Sequence, residues 1–252
     1  MEIVPDIQLK EENNKVILVG EVIEDLKISH ETFNEKFYSF KISVKRLSGD
    51  TDELEIVISE KILNKDIIKV GNTVVVDGEI RSYNYIMENE ERRKLILSVF
   101  AKEVREIKEE DLTTNEVTLI GYICKKPIYR KTPFGREIAD ILLAVNRIYG
   151  KDTQEADFIN IVAWNKTAEI VSTYLTKGNL IALAGRIQTR DYDGKDGKRV
   201  YVTEVVAEEI FFTGGTNNNY TPKTKIEEEF EIEEEPEIDF EELNNEIETM
   251  EW

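Results

Sequence analysis

The chain has 252 residues, 40% of them apolar, enough for two ordinary cores, and its net charge of -19 argues against an affinity for phosphate spread over the whole surface. One cysteine, Cys124, and one histidine, His30, exclude an internal disulfide and a His/Cys zinc cage, so no metal or cofactor is expected and a reducing cytoplasm is the expected compartment. No apolar run reaches the roughly eighteen residues of a membrane span, and the acidic, polar stretch from Met1 to Asn14 lacks a leader's basic and then apolar pattern.

In chain order, the first unit is expected over residues 1–112. It opens the barrel pattern at Asn14-Lys15-Val16-Ile17-Leu18-Val19-Gly20 and continues in short Val- and Ile-rich runs. Its one helix, within Lys61 to Lys69, is short and poorly patterned. The second unit, 113–215, repeats the first: Asn115-Glu116-Val117-Thr118-Leu119-Ile120-Gly121 begins 101 residues further on. Arg46 then answers Arg147, Val70-Gly71-Asn72 answers Lys177-Gly178-Asn179, and Asp77-Gly78 answers Ala184-Gly185. Units of about 100 residues are duplicated domains rather than solenoid repeats.

Strands in the second unit are expected near 115–124, 137–148, 157–164, 179–192 and 199–212, with a helix over 167–176 that places Ala168, Val171 and Leu175 on one face. Five strands with a helix after the third is the order of an OB-fold. The expected fold is therefore mainly all-β: two tandem five-stranded Greek-key OB-fold barrels, each with a short helix after strand 3. Asp193-Gly194-Lys195-Asp196-Gly197 reads as the turn of a long hairpin. From 216 to 252 the chain is Glu-dense and expected to be a disordered acidic tail. Phe240, Met250, Glu251 and Trp252 are the residues expected to dock this tail on a basic groove of a partner protein.

Charge is unevenly shared. Residues 1–112 carry 17 Lys+Arg against 25 Asp+Glu, residues 113–215 carry 14 against 13, and residues 216–252 carry 2 against 14. Only the second unit can present a basic face without a large opposing field. There, Tyr149, Phe158, Trp164 and Tyr192 interleave with Arg130, Lys131, Arg136, Arg147, Lys166, Arg186 and Arg190. Rings on which bases stack, beside cations for phosphates, are what sequence-tolerant binding of single strands needs. In Phe158-Ile159-Asn160-Ile161-Val162-Ala163-Trp164 the odd-numbered residues form an apolar face, which leaves Phe158, Asn160 and Trp164 on the other.

Residues 115–213 resemble the bacterial single-stranded DNA-binding protein family. The likeness runs through the opening strand, Thr132-Pro133-Phe134-Gly135-Arg136, Leu143 to Arg147, Asp157 to Trp164, Tyr174 to Gly178, Gly185 to Tyr192 and Thr203 to Ala207. It implies base stacking by Tyr149, Phe158, Trp164 and Tyr192, phosphate contacts by Arg147, Arg186 and Arg190, and a tail that recruits replication, repair and recombination proteins. Two departures stand out: the tail ends Glu248-Thr249-Met250-Glu251-Trp252 rather than in the family's Pro-Phe tip, and a second barrel precedes the first match. The duplication resembles the two-barrel members that pair as homodimers, bringing four OB-folds together.

The first unit has Ser59 where the second has Trp164 and Glu53 near the place of Phe158, while Tyr85 answers Tyr192; it is expected to bind DNA weakly and serve assembly. Phe33, Phe37 and Tyr38 lie near an expected loop, where core packing is the leading expectation and surface stacking the alternative. The function expected overall is non-enzymatic binding of single-stranded DNA in the cytoplasm, associated with the nucleoid. The competing expectation is an accessory interaction protein of a primosome or recombination complex whose DNA contact is incidental.

Overall fold

The computed structural model describes residues 12–86, 93–109, 111, 115–132, 135–147, 155–193 and 199–216, without the side chains of 84–86, 93–94, 192–193, 200 and 213–216. Expectations on Tyr149, the ring of Tyr192, the turn at Gly194 to Gly197 and the tail residues Phe240, Met250, Glu251 and Trp252 lie outside the described residues.

The first unit comprises β1 (Asn14–Val22), β2 (Lys27–Thr32), β3 (Glu35–Lys45), β4 (Thr51–Ser59), β5 (Thr73–Ile86) and β6 (Arg93–Glu106). The second comprises β7 (Asn115–Ile123), β8 (Ile128–Lys131), β9 (Glu137–Asn146), β10 (Ala156–Trp164), α1 (Asn165–Tyr174), β11 (Asn179–Asp193) and β12 (Arg199–Thr216). Alternation does what it should: Val16, Leu18 and Val22 of β1, and Val117, Leu119 and Ile123 of β7, are all fully buried on the inner face.

Each unit closes on itself. In the first, β1 pairs antiparallel with β3 and β5, β3 with β4, and β5 with β6, while β4 runs parallel to β6. The second repeats every pairing with β7, β9, β10, β11 and β12. This is the five-stranded OB-fold barrel, twice. The short strands β2 and β8, hairpinned onto β3 and β9, are additions to the expected five and form the two ends of a continuous 12-stranded sheet.

Closure depends on two glycines at equivalent places. The β5–β6 ladder shifts register between Asp77 and Gly78, and the β11–β12 ladder between Ala184 and Gly185. A Cβ on Gly78 would lie 2.4 Å from the Phe100 carbonyl oxygen, and one on Gly185 2.0 Å from that of Val206, so only glycine lets the strands cross this closely.

The expected helix of the second barrel forms, starting two residues early at Asn165, with Ala168 and Val171 fully buried and Leu175 at its C-cap 1% exposed. The first barrel departs from expectation, because residues 60–72 form turns instead of a helix. Asn64 Oδ1 accepts the backbone N–H of Asp66 (3.0 Å) and its carbonyl accepts that of Ile68 (3.3 Å), one capped turn that goes no further, since only Ile68 of the segment is buried.

The two barrels join through β1 and β7, which pair antiparallel with Val16 opposite Val117. Those residues are equivalents in the repeat, so an internal twofold axis passes between them. The same symmetry governs two latches across the joint. Asp157, with a fully buried carboxylate, accepts from the backbone N–H of Ser82 (2.8 Å), from Ser82 Oγ (3.2 Å), from Arg81 (2.9 Å) and from both arms of Arg147 (2.7 and 2.9 Å). Asp52, equally buried, accepts from the backbone N–H and hydroxyl of Thr189 (2.6 and 3.1 Å) and from Arg46 (2.5 and 2.7 Å). Arg46 also donates to the Thr189 carbonyl, at 2.6 Å.

Candidate nucleic-acid interface

Residues opposite one another in neighbouring strands point to the same side, so the register maps the outer face of the second barrel. Trp164, at the end of β10, pairs with Ile138, and Ile138 pairs with Arg130 of β8. Two residues back, Val162 pairs with Val206, which pairs with Arg186 of β11. Trp164 is also the N-cap residue of α1, with extended backbone and no side-chain cap, and its partly exposed indole therefore stands where strand gives way to helix. The arrangement is a flat ring with a guanidinium group on the next strand but one to either side.

Phe158 corrects the expectation of an open face along all of β10. It is 2% exposed, packed with Cys124, Leu142 and Ala144, and covered by Leu95 of the first barrel. Its backbone N–H donates to Ser82 Oγ at 2.9 Å. The face points outward from its own barrel, as the alternation predicted, but the β5–β6 arm of the other barrel lies on that end of it. Val162, on the same face, is 5% exposed, which leaves Asn160 and Trp164 partly open.

The expected cations are mostly held by carboxylates. Arg130 bonds Asp140 (3.0 Å), Arg186 faces Glu208 (3.4 Å) and Gln188 (2.9 Å), and Arg190 bonds the buried Glu204 (3.0 Å), which also accepts from Gln188 (2.8 Å). Arg147 serves the Asp157 latch and reaches Glu155 at 3.0 Å, so it is a structural cation first; these carboxylates hold its ionisation above the ordinary arginine range. Lys131 pairs with Glu137 at 3.1 Å, whose carboxyl is held below its usual range by hydrogen bonds from Tyr129 and then Lys131. Arg136 and Lys166 are exposed, with no ion pair among the described residues. The carboxylate partners fix where each guanidinium sits, so the paired arginines are held in place on the face.

Burial raises Asp157's carboxyl, but the bonds from Arg147, the Ser82 N–H and Arg81 outweigh it and leave the group below its ordinary value. Asp52 is lowered in the same way by Arg46 and Thr189, against its own burial.

The latches also align the two faces residue by residue. With Asp52 equivalent to Asp157, Glu53 stands for Phe158, Glu55 for Asn160 and Ser59 for Trp164; with Gly78 equivalent to Gly185, Glu79 stands for Arg186. The first barrel's outer face carries Glu53 and Glu79 where the second has Phe158 and Arg186, and lacks the ring at Ser59. Among the described residues of the second barrel, five exposed rings escaped the sequence reading: Tyr129, Tyr174, Tyr201, Phe211 and Phe212, at 38%, 70%, 67%, 43% and 37%. The length of β11 and β12, at 15 and 18 residues, was the available sign that Tyr201 lies on an arm beyond the barrel.

Fold and face together define a tandem OB-fold protein. The Single-strand binding protein family model matches twice, over residues 13–107 and 114–213, and the chain belongs to that family. It is 52% identical over 109 residues to "Single-stranded DNA-binding protein 3" of Clostridium acetobutylicum, a match covering 42% of this chain and 76% of that one. It is 48% identical over 120 residues to the Listeria innocua protein of the same name, covering 44% and 75%. The crystal structure of the wild-type single-stranded DNA binding protein from Thermus aquaticus shares the fold, with a TM-score of 0.62 at 19% identity over 82% of this chain and 95% of that one. No helix among the described residues is long and apolar enough to cross a membrane, and none of their His, Cys, Asp and Glu side chains gather in groups of three that could hold a metal.

Proposed function

We propose that the chain binds single-stranded DNA with little sequence preference, mainly on the outer face of the second barrel. The observation that carries the reading is the partly exposed indole of Trp164, in register with Arg130 and one rank from Arg186. Asn160 supplies a hydrogen-bonding edge one rank beyond the Arg186 row, and Arg136 and Lys166 add exposed cations with no ion pair among the described residues. Tyr149 and Tyr192 extend the stacking set, Arg190 and Lys131 border it, and Phe158 supports the face from beneath rather than meeting bases. The family and its named relatives support the ligand class.

The test is fluorescence. In a Trp252→Phe variant, Trp164 is the one tryptophan, and titration with oligo-dT should quench most of its emission, with an affinity that falls as salt rises. Unchanged emission at saturating oligonucleotide would favour the accessory-protein reading.

The division into barrels near residue 112 and a tail from 216 belongs to the same proposal. The tail, with 14 Asp+Glu against 2 Lys+Arg, is charge-complementary to basic grooves on replication, repair and recombination proteins, and Phe240, Met250, Glu251 and Trp252 would anchor it there. One chain already holds two barrels about an internal twofold axis, so two chains supply four. Light scattering at micromolar concentration should report twice the chain mass of 29.2 kDa, and a monomer there would remove the four-barrel assembly.

A further inference from the structure

Strand β2 has all six residues exposed, and the turn joining it to β3 is Phe33-Asn34, with φ of 48° and 60°. A two-residue hairpin turn with both angles positive is tolerated by asparagine and glycine but strains a bulky aromatic. Contrary to the expectation of core packing, the Phe33 ring is 98% exposed. The residue thus contributes neither backbone ease nor apolar burial to folding, which is how residues kept for contact look.

Three residues earlier, His30 is exposed and stacks flat on Phe37, with ring centroids 4.8 Å apart and planes 10° apart. Phe37 is braced from within by Phe100 at 5.7 Å. His30 pairs with Phe37, and Phe37 pairs with Ser59. That row is the first barrel's counterpart of Arg130, Ile138 and Trp164, in reversed order of chemistry. The flat ring missing at Ser59 returns two strands away, on β2.

We infer that His30 and Phe33 form a second base-stacking platform, which takes unpaired nucleobases of a strand already held by the second barrel. The inference rests on the DNA-binding reading above. It gives the first barrel a contact that its acidic face does not forbid, because Lys27 and Lys61 neutralise Glu24 and Glu35 nearby and Lys36 adds an exposed cation. Contact through ring faces is governed by stacking rather than charge, so its share of the affinity should change little with salt. In sequence, Phe134 follows Phe33 at the repeat's spacing of 101 residues.

The experiment is anisotropy with the full chain and two labelled oligo-dT lengths, about 8 nucleotides for one barrel and about 30 to reach both. The His30→Ala/Phe33→Ala variant should match wild type on the short strand and lose about fivefold or more on the long one, at low and high salt alike. Phe33→Trp should retain wild-type affinity and Phe33→Leu should not, since leucine keeps apolarity without a π face. Unchanged long-strand affinity in the double variant, with wild type binding normally, would overturn the platform alone and leave the hairpin as a protein contact. Failure of wild type to bind either length would overturn the DNA-binding reading and the platform with it.

Discussion

Replacing Asp157 with alanine should lower the stability of the chain by about 3–5 kcal/mol near neutral pH, the usual result of removing one partner from a buried ion pair. The carboxylate is fully buried and meets donors from both barrels: Arg147 on its own side, and Arg81 and Ser82 across the joint. Deleting it takes the shared carboxylate from two largely buried guanidinium groups, 12% and 25% exposed, leaving Arg81 with Glu79 and Arg147 with Glu155 as carboxylate partners, and takes the acceptor from the Ser82 N–H. Denaturant melts of wild type and variant at fixed pH measure the loss. The pH dependence gives a second reading of the same bond. Asp157's folded pKa lies below its ordinary value of 3.8, so its contribution is complete above that value and lost as pH falls through the lower, folded one. Wild type and variant should therefore converge in stability on acidification, and a constant gap down to strongly acid pH would show that the loss comes from packing. Asp52→Ala should follow the same course with a smaller amplitude, because a single arginine is stranded.

Much of this architecture is legible in the sequence because it depends on local alternation and on repetition. Val16 and Val117 announce equivalent strands, and Ala168, Val171 and Leu175 announce the helix that covers the barrel floor. What was illegible depends on which element lies over another. Alternation says that Phe158 leaves its own core; only the meeting of the barrels shows that Leu95 then covers it. The pairing of Arg190 with Glu204, or Arg130 with Asp140, follows from strand register, which composition does not encode, so these arginines read as free cations. The helix expected near Lys61 to Lys69 shrinks to turns, with one capped turn from Asn64 to Ile68, because only Ile68 of the segment is buried and no apolar face carries it further. Phe33 misled in the opposite direction, since hydrophobicity predicts burial and the turn denies it.

The sharpest separation of roles should come from two aromatic residues six positions apart on one strand. Phe158→Ala should destabilise the fold by about 3–5 kcal/mol, as truncation of a well-packed aromatic does, because its ring fills the contact between Leu142, Ala144, Cys124 and the arm of the other barrel. Trp164→Ala removes a partly exposed ring and should cost less stability, but about 1–3 kcal/mol of affinity for oligo-dT. Arg46→Ala behaves like Phe158→Ala in kind: the residue holds Asp52 and the Thr189 carbonyl across the joint, so its loss should appear in melting rather than in binding. Denaturant midpoints and anisotropy titrations of the three variants, under conditions where each is folded, decide the matter. If Phe158→Ala melted like wild type while losing DNA affinity, the arm over it would have to lift during binding, and the working face would extend the full length of β10.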